Sequence, residues 1–348
     1  MHLDEAYERL HRYGPEFGGD DEGNHGMTNH GPMAVEVMLR RGLDVDVTRW
    51  VDRYVRRLDE LPPPSRPIGD WARALGDHRR LPDWQVFFTR QLAGRAWPDV
   101  LAAWWPRLLP GIAAGSTHGV IRVGHAVRAL RAGAGDPARA ELAHGLAFWA
   151  ARYLPLPAAR PGGVLPAAAA LDRVVRLADQ TGFIAHRAAR LAATPGWAGS
   201  VAAIRPAEAA RAPEALAELV TAAVRQYGGH GPAAPVLLVH TATAPNAVRH
   251  VLPSLPESLW AASFSHAWTA VAAIQAMYAP GGVAGRRAAA PRGNDAAAET
   301  LHRAAGHGDE HVIKFADTAV DAFGIDADPG LLGAAALARE LIPSPSAG

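Results

Sequence analysis

One lysine stands in this chain, Lys314, against 34 arginines. A guanidinium keeps its charge, whereas a buried amine can lose its proton. It can then act as a nucleophile, form a Schiff base or take up carbon dioxide as a carbamate. The surviving lysine therefore marks a position where arginine will not do, unless it is an exposed remnant of a GC-rich coding bias. It lies in Gly308-Asp309-Glu310-His311-Val312-Ile313-Lys314-Phe315-Ala316-Asp317, three residues beyond His311, so the two share one face of a helix. Sixteen histidines accompany it, and neutral imidazole is the commonest protein ligand of transition metals.

Several of these histidines have settings that could do chemistry. His30 opens a helix in Thr28-Asn29-His30-Gly31-Pro32-Met33, and His118 and His125 lie seven apart on one helical face. His240 ends the apolar run Pro235–Val239 and precedes Thr241-Ala242-Thr243, while His266 sits on an apolar helix between Ser265 and Trp268. Any one of them fits a hydrogen-bonded core histidine; together they are many polar rings for one helical core. His2, His11, His78, His186 and His250 read as surface. Glu141-Leu142-Ala143-His144 and Glu299-Thr300-Leu301-His302 match the Glu-x-x-His pair of ferritin-like di-iron bundles. Glu36 could supply one further glutamate of such a site, and a second is lacking.

The elements that must position these residues read as helices almost throughout. Apolar residues recur at three and four rather than at two, and alanine is abundant. The pattern predicts helices over Gly31–Arg41, Val45–Glu60, Asp83–Ala93, Pro98–Leu109, Thr117–Arg131, Pro137–Tyr153 and Pro166–Ala178. Further ones are predicted over Pro213–Gln226, Ala234–Val251, Pro256–Tyr278, Asp295–Ala305, Asp309–Phe323 and Gly330–Leu341. Thr28 or Asn29 can cap the first. Gly133-Ala134-Gly135-Asp136-Pro137-Ala138 follows a helix rather than a strand, so it is a turn and not a dinucleotide fingerprint. The tryptophans at 71, 84, 97, 104, 105 and 149 read mainly as core, with some able to wall a pocket for a flat ligand. The fold class expected is all-α: one large multi-helix domain over 1–348 with a buried metal site between helices, any division into two lobes falling near 155–165.

Composition narrows the function classes. The chain has 348 residues, is 49% hydrophobic and 20% charged, and carries a formal charge of +1 without blocks of like charge. That balance argues against nucleic acid or an anionic membrane as partner. No apolar run of roughly 18 residues occurs, and there is no charged-then-apolar leader. Cysteine is absent, which excludes thiolate metal sites and fits a cytoplasmic protein.

Asn29-His30-Gly31-Pro32-Met33, Leu75-Gly76-Asp77, Asp83-Trp84 with Phe87-Phe88, His118-Gly119-Val120-Ile121-Arg122 and Asp309-Glu310-His311-Val312-Ile313-Lys314 resemble the questin oxidase-like family over nearly the whole chain. That family includes fungal oxygenases that cleave rings of anthraquinone-type polyketides. The resemblance implies a mononuclear non-haem iron held by four histidines and a carboxylated lysine. Carried onto this sequence, the ligands are His30, His118, His240, His311 and Lys314, with His266 in reserve for His240. Asn29, Thr117, His125 and Asp309 stand where they could orient them. Fungal members tend to carry a histidine and a tyrosine after the second ligand; Arg122 and His125 stand here instead, which puts the fungal substrate in doubt.

The expected function is accordingly an Fe(II)-dependent oxygenase opening a ring of a polycyclic aromatic substrate by Baeyer–Villiger chemistry. Its cofactors would be Fe(II) and a CO2-derived carbamate on Lys314, with O2 as cosubstrate and any external reductant serving only to keep iron or quinone reduced. A carbamate gives an ion among four neutral imidazoles its one anionic donor. Five protein ligands leave one vacancy on an octahedral ion, enough for O2 but not for a chelating cosubstrate as well. Two rival readings remain open: a metal hydrolase whose carboxylated lysine bridges two ions, and a helical protein that binds an aromatic metabolite without turnover.

Overall fold

The structure, a computed structural model, describes residues 1–16, 28–281 and 284–345. Its first half holds α1 (Leu3–Leu10), α2 (Gly31–Arg40), α3 (Val47–Tyr54), α4 (Trp71–Ala74), α5 (Leu81–Gly94), α6 (Trp97–Leu108), α7 (His118–Arg131), α8 (Asp136–Ala151) and α9 (Ala167–Asp172). The second half adds α10 (Ile184–Leu191), α11 (Trp197–Ala202), α12 (Ala212–His230), α13 (Pro235–Leu238), α14 (His240–Val251), α15 (Trp260–Tyr278), α16 (Ala296–His307), α17 (Glu310–Ile325) and α18 (Pro329–Leu341). The strands described are β1 (Tyr13–Glu16) and β2 (Leu58–Glu60), an antiparallel pair with Tyr13 opposite Glu60. The all-α expectation holds.

Helix ends follow local chemistry. Asp46, Asp70, Asp309 and Asp328 each cap a helix by accepting backbone N–H bonds with the side chain. Gly133, at φ +90°, closes α7 in the turn expected at 133–138, and Gly308, at φ +87°, closes α16 one residue before the Asp309 cap. Where the expected helices differ, the cause is punctuation that periodicity does not see. Val45–Glu60 becomes α3, a 3-10 turn and β2, and Pro166–Ala178 stops at Asp172. Ala234–Val251 is interrupted at Val239, so that His240 starts a helix of its own.

Most of the apolar interior is one continuous cluster built on α5–α9, α12, α14, α15, α17 and α18, which runs on both sides of residues 155–165. Tryptophans 84, 104, 105 and 149 are buried in it, with Trp84, Phe87, Phe88 and Trp104 packed mostly edge to face. A smaller cluster lies under α1–α3. Helices α2 and α17 contribute to both, through Met33 and Phe315 to the first and Val35 and Ile313 to the second. Small residues let the inner helices approach closely. A Cβ added at Gly124 of α7 would stand 2.7 Å from the Cβ of Ala247 on α14. No helix among the described residues is long and apolar enough to cross a membrane.

Candidate metal centre

Helices α2, α7, α14 and α17 pack in a closed ring, α2 and α14 each touching both α7 and α17. Each of the four begins with a histidine: His30 precedes the first residue of α2, His118 and His240 start α7 and α14, and His311 is second in α17. The four rings and Lys314 are at most 7% exposed.

Three of the rings are each delivered by a distinct local device. Asn29 accepts the Gly31 N–H at 3.1 Å and donates to the Leu10 carbonyl at 3.1 Å, while the His30 N–H donates to the Tyr54 hydroxyl at 2.6 Å. Ahead of His118, three successive residues hold left-handed backbone: Gly115, Ser116 and Thr117, at φ +51°, +57° and +71°. That conformation strains the two non-glycine residues, and the Tyr278 hydroxyl lies near Ser116. The Asp309 carboxylate caps α17 by accepting the N–H groups of His311 at 2.9 Å and Val312 at 3.0 Å. Trp50 donates to the Gly308 carbonyl at 2.8 Å, which fixes the preceding turn.

The rings converge. Centroids lie 4.6 Å apart for His30–His118 and His30–His311, 4.4 Å for His118–His240, 5.5 Å for His240–His311 and 5.8 Å for His118–His311. The His118 Nδ1–H donates to the Gly115 carbonyl at 2.5 Å, which leaves its Nε2 as the lone pair. That Nε2 faces the His30 Nε2 at 2.8 Å. Burial holds all four rings below the usual histidine range, His118 at about 3. They are neutral at physiological pH, the state in which imidazole binds metals.

This donor set fits a transition-metal ion. One nitrogen each from His30, His118 and His311 lies within 4.8 Å of the others. Two imidazoles at right angles on an ion with bonds of ~2.1 Å have nitrogens about 3.0 Å apart, close to the spacing seen for His30 and His118. Apart from a weak contact with the Leu237 carbonyl, neither ring nitrogen of His240 makes a hydrogen bond among the described residues. A buried imidazole without partners is costly, and a ligand to it would offset that cost.

Asp309 and Glu310 form a second acidic group with His311, their carboxylates 3.8 and 3.7 Å from its Nδ1. Both are already engaged. Glu310 takes a two-pronged contact from Arg57 at 3.1 and 3.2 Å, and Asp309 is the α17 cap. Burial and the neighbouring Glu310 charge push the Asp309 carboxyl up to about 6.

The structure brings together His30, His118, His240, His311 and Lys314, with Asn29, Thr117 and Asp309 holding the backbone just before three of the rings. His125 lies two turns along α7 and bonds to Glu36 at 2.8 Å rather than to any of the four rings. His266 lines a separate cavity of about 640 Å³ with Arg160, Ser265 and Thr269. The di-iron pattern does not form: Glu299 pairs with Arg303 on an exposed face, whereas Glu141 is buried against Arg122 and His11. His11, expected at the surface, stacks on His144 with centroids 4.4 Å apart, and His250 pairs with Asp321 at 2.9 Å. Tyr54, Arg57 and Tyr278 carry no sequence signal, because each reaches the site through long-range packing.

No curated protein and no solved structure matches the chain. A model of the questin oxidase-like family matches residues 52–319, well over half of the sequence, a span that takes in His118, His240, His311 and Lys314. On that match the chain belongs to the questin oxidase-like family.

Proposed function

We propose that this chain is an Fe(II)-dependent oxygenase that inserts oxygen beside a carbonyl carbon of a polycyclic aromatic substrate, of the anthraquinone or hydroquinone kind, and so opens a ring. Membership in the family implies an oxidoreductase and suggests an oxygenase acting on aromatic polyketides. The observation that carries the iron assignment is the convergence of four buried, neutral imidazoles around the one lysine of the chain.

His30, His118, His240 and His311 would hold the ion through ring nitrogens, and Lys314, carboxylated by CO2, would add the one anionic oxygen donor. A bound Fe(II) supplies the one-electron chemistry that O2 needs before it reacts with an aromatic molecule. The protein's part is to present lone pairs and to keep water out. The Gly115 carbonyl fixes the His118 tautomer, Tyr54 and Asn29 fix the entry of His30, and Asp309 fixes the first turn that carries His311. The electrons would come from a reduced, hydroquinone form of the substrate, so a requirement for 2-oxoglutarate in assay would sink this reading. A paired-metal hydrolase would have to recruit Asp309 and Glu310; the commitment of both to a helix cap and to Arg57 favours a single ion.

Elemental analysis of the purified protein beside its Lys314→Arg variant, after anaerobic loading with Fe(II) and bicarbonate, tests the assignment. Arginine keeps the charge and much of the length but forms no such carbamate. Expected are about one iron per chain in the parent and a large loss in a still-folded variant, together with O2 uptake on an anthrahydroquinone by the parent alone. Equal iron in both would remove Lys314 from the site, and no iron in either would remove the oxygenase.

A further inference from the structure

Below the rings, the same four helices meet a second time. Glu36 and Arg40 of α2, His125 and Arg128 of α7, Asn246 and His250 of α14, and Asp317 and Asp321 of α17 lie six to ten residues after the histidine of their own helix. Glu36 accepts from Arg40 at 3.0 Å, from His125 at 2.8 Å and from Arg128 at 2.9 Å. Asp317 accepts from Arg40 at 2.6 Å, from Arg41 at 2.7 Å and from Arg128 at 2.8 Å. Asp321 extends the lattice, taking Arg41 at 2.6 Å and drawing in α14 through Asn246 and His250, both at 2.9 Å. Glu36 and Asp317 are buried at its centre.

We propose that Glu36 and Asp317 are positioning residues of the metal centre, because the ion lattice they anchor sets the spacing and rotation of the four ring-bearing helices. The inference rests on the metal reading above. All four helices lead from the rings toward the lattice, so their positive N-terminal ends converge on the rings and repel one another. The four neutral imidazoles supply no attraction to offset that. Arg128 ties α7 to both α2 and α17, and Arg40 ties α2 to α17. Guanidinium forks fix direction as well as distance. The lattice begins about 9 Å below the rings at the helical rise per residue, so a small tilt at this level is carried to the donors, where a metal centre tolerates roughly 0.5 Å.

The test titrates the full-length protein anaerobically with Fe(II) in bicarbonate, and separately with Co(II), whose visible bands report the geometry of its donors. Glu36→Gln and Asp317→Asn should each weaken binding ~10–100-fold and displace the Co(II) bands, in protein that keeps its helical circular dichroism. Glu141→Gln is the control: it breaks a buried contact with Arg122 on α7 but cuts no tie among the four helices, and should leave affinity and bands at parental values. Parental affinity and bands in Glu36→Gln and Asp317→Asn would overturn the inference, as would an equal shift in the control. If both variants unfold, Asp321→Asn at the lattice rim is read instead: displaced Co(II) bands support the inference and parental bands overturn it. Failure of the parent to bind either ion would overturn the metal reading itself, which separates the two failures.

Discussion

The two polar layers carried by α2, α7, α14 and α17 are opposites. In the lower one, carboxylates and guanidiniums are matched bond for bond, and Glu36 and Asp317 each accept from three side chains. In the upper one, buried rings face one another, and His240 has no strong partner for either nitrogen. The same helices, a few residues apart, therefore contain a region solved for stability and a region left unsolved. Polar groups buried without partners carry a cost that a bound ligand would offset.

The sharpest way to break this contrast is to unbalance the matched layer. Asp317→Ala leaves Arg40, Arg41 and Arg128 without a shared counter-charge and should cost about 3–5 kcal/mol of folding stability, read as a lower urea midpoint; a loss below ~1 kcal/mol would show that the lattice is not closely coupled. Acid separates the layers next. Burial alone would raise the Glu36 carboxyl, but Arg128 and His125 outweigh it and hold it at about 2, so its contribution is full above its ordinary pKa of 4.5 and is lost between 4.5 and 2. His118, held at about 3 instead of 6.5, binds fewer protons folded than unfolded in that interval, so its contribution is lost as pH falls from 6.5 toward 3. Metal-free protein should thus weaken below pH 6.5, by up to about 1.4 kcal/mol per pH unit for each ring, and more steeply below 4.5; a flat profile down to pH 4.5 would contradict neutral buried rings.

The unmatched layer should respond the other way. His240→Leu removes orphaned nitrogens at similar volume, so metal-free stability should stay level or rise by up to about 1 kcal/mol while Fe(II) binding falls. A clear loss of stability would mean that His240 has a structural partner. Glu299→Gln, on the exposed Glu-x-x-His pair, should change stability by less than ~0.5 kcal/mol and leave metal content untouched.

Much of the upper layer was legible in the sequence because its signals are local. Lys314 is unique, His311 lies one turn before it, and His30 and His118 sit in short segments that resemble a family. Helix existence was legible for the same reason. The break that makes His240 a helix start was not, since the apolar pattern of Pro235–Val251 runs on through the interruption at Val239. Nor was the lower layer: Glu36 looked like a candidate metal glutamate, and its partner Arg128 is 92 residues away. Arginines in pattern reading look like solvated faces, and only the packed helices turn them inward. His11 was misplaced similarly, because its partner Glu141 is 130 residues distant. Local chemistry announces itself in the chain; matched charge does not.

The rings enter the chain at residues 30, 118, 240 and 311, one to a helix. A chain under synthesis therefore holds at most three of them until residue 311 has been made, and it gains Lys314 three residues later. On the proposed reading, an ion would be fully caged only in molecules whose α17 has been made and has docked. Assembly order would thus act as a quality check: a fragment cut short of Asp309 lacks both His311 and Lys314 and could not complete the donor set.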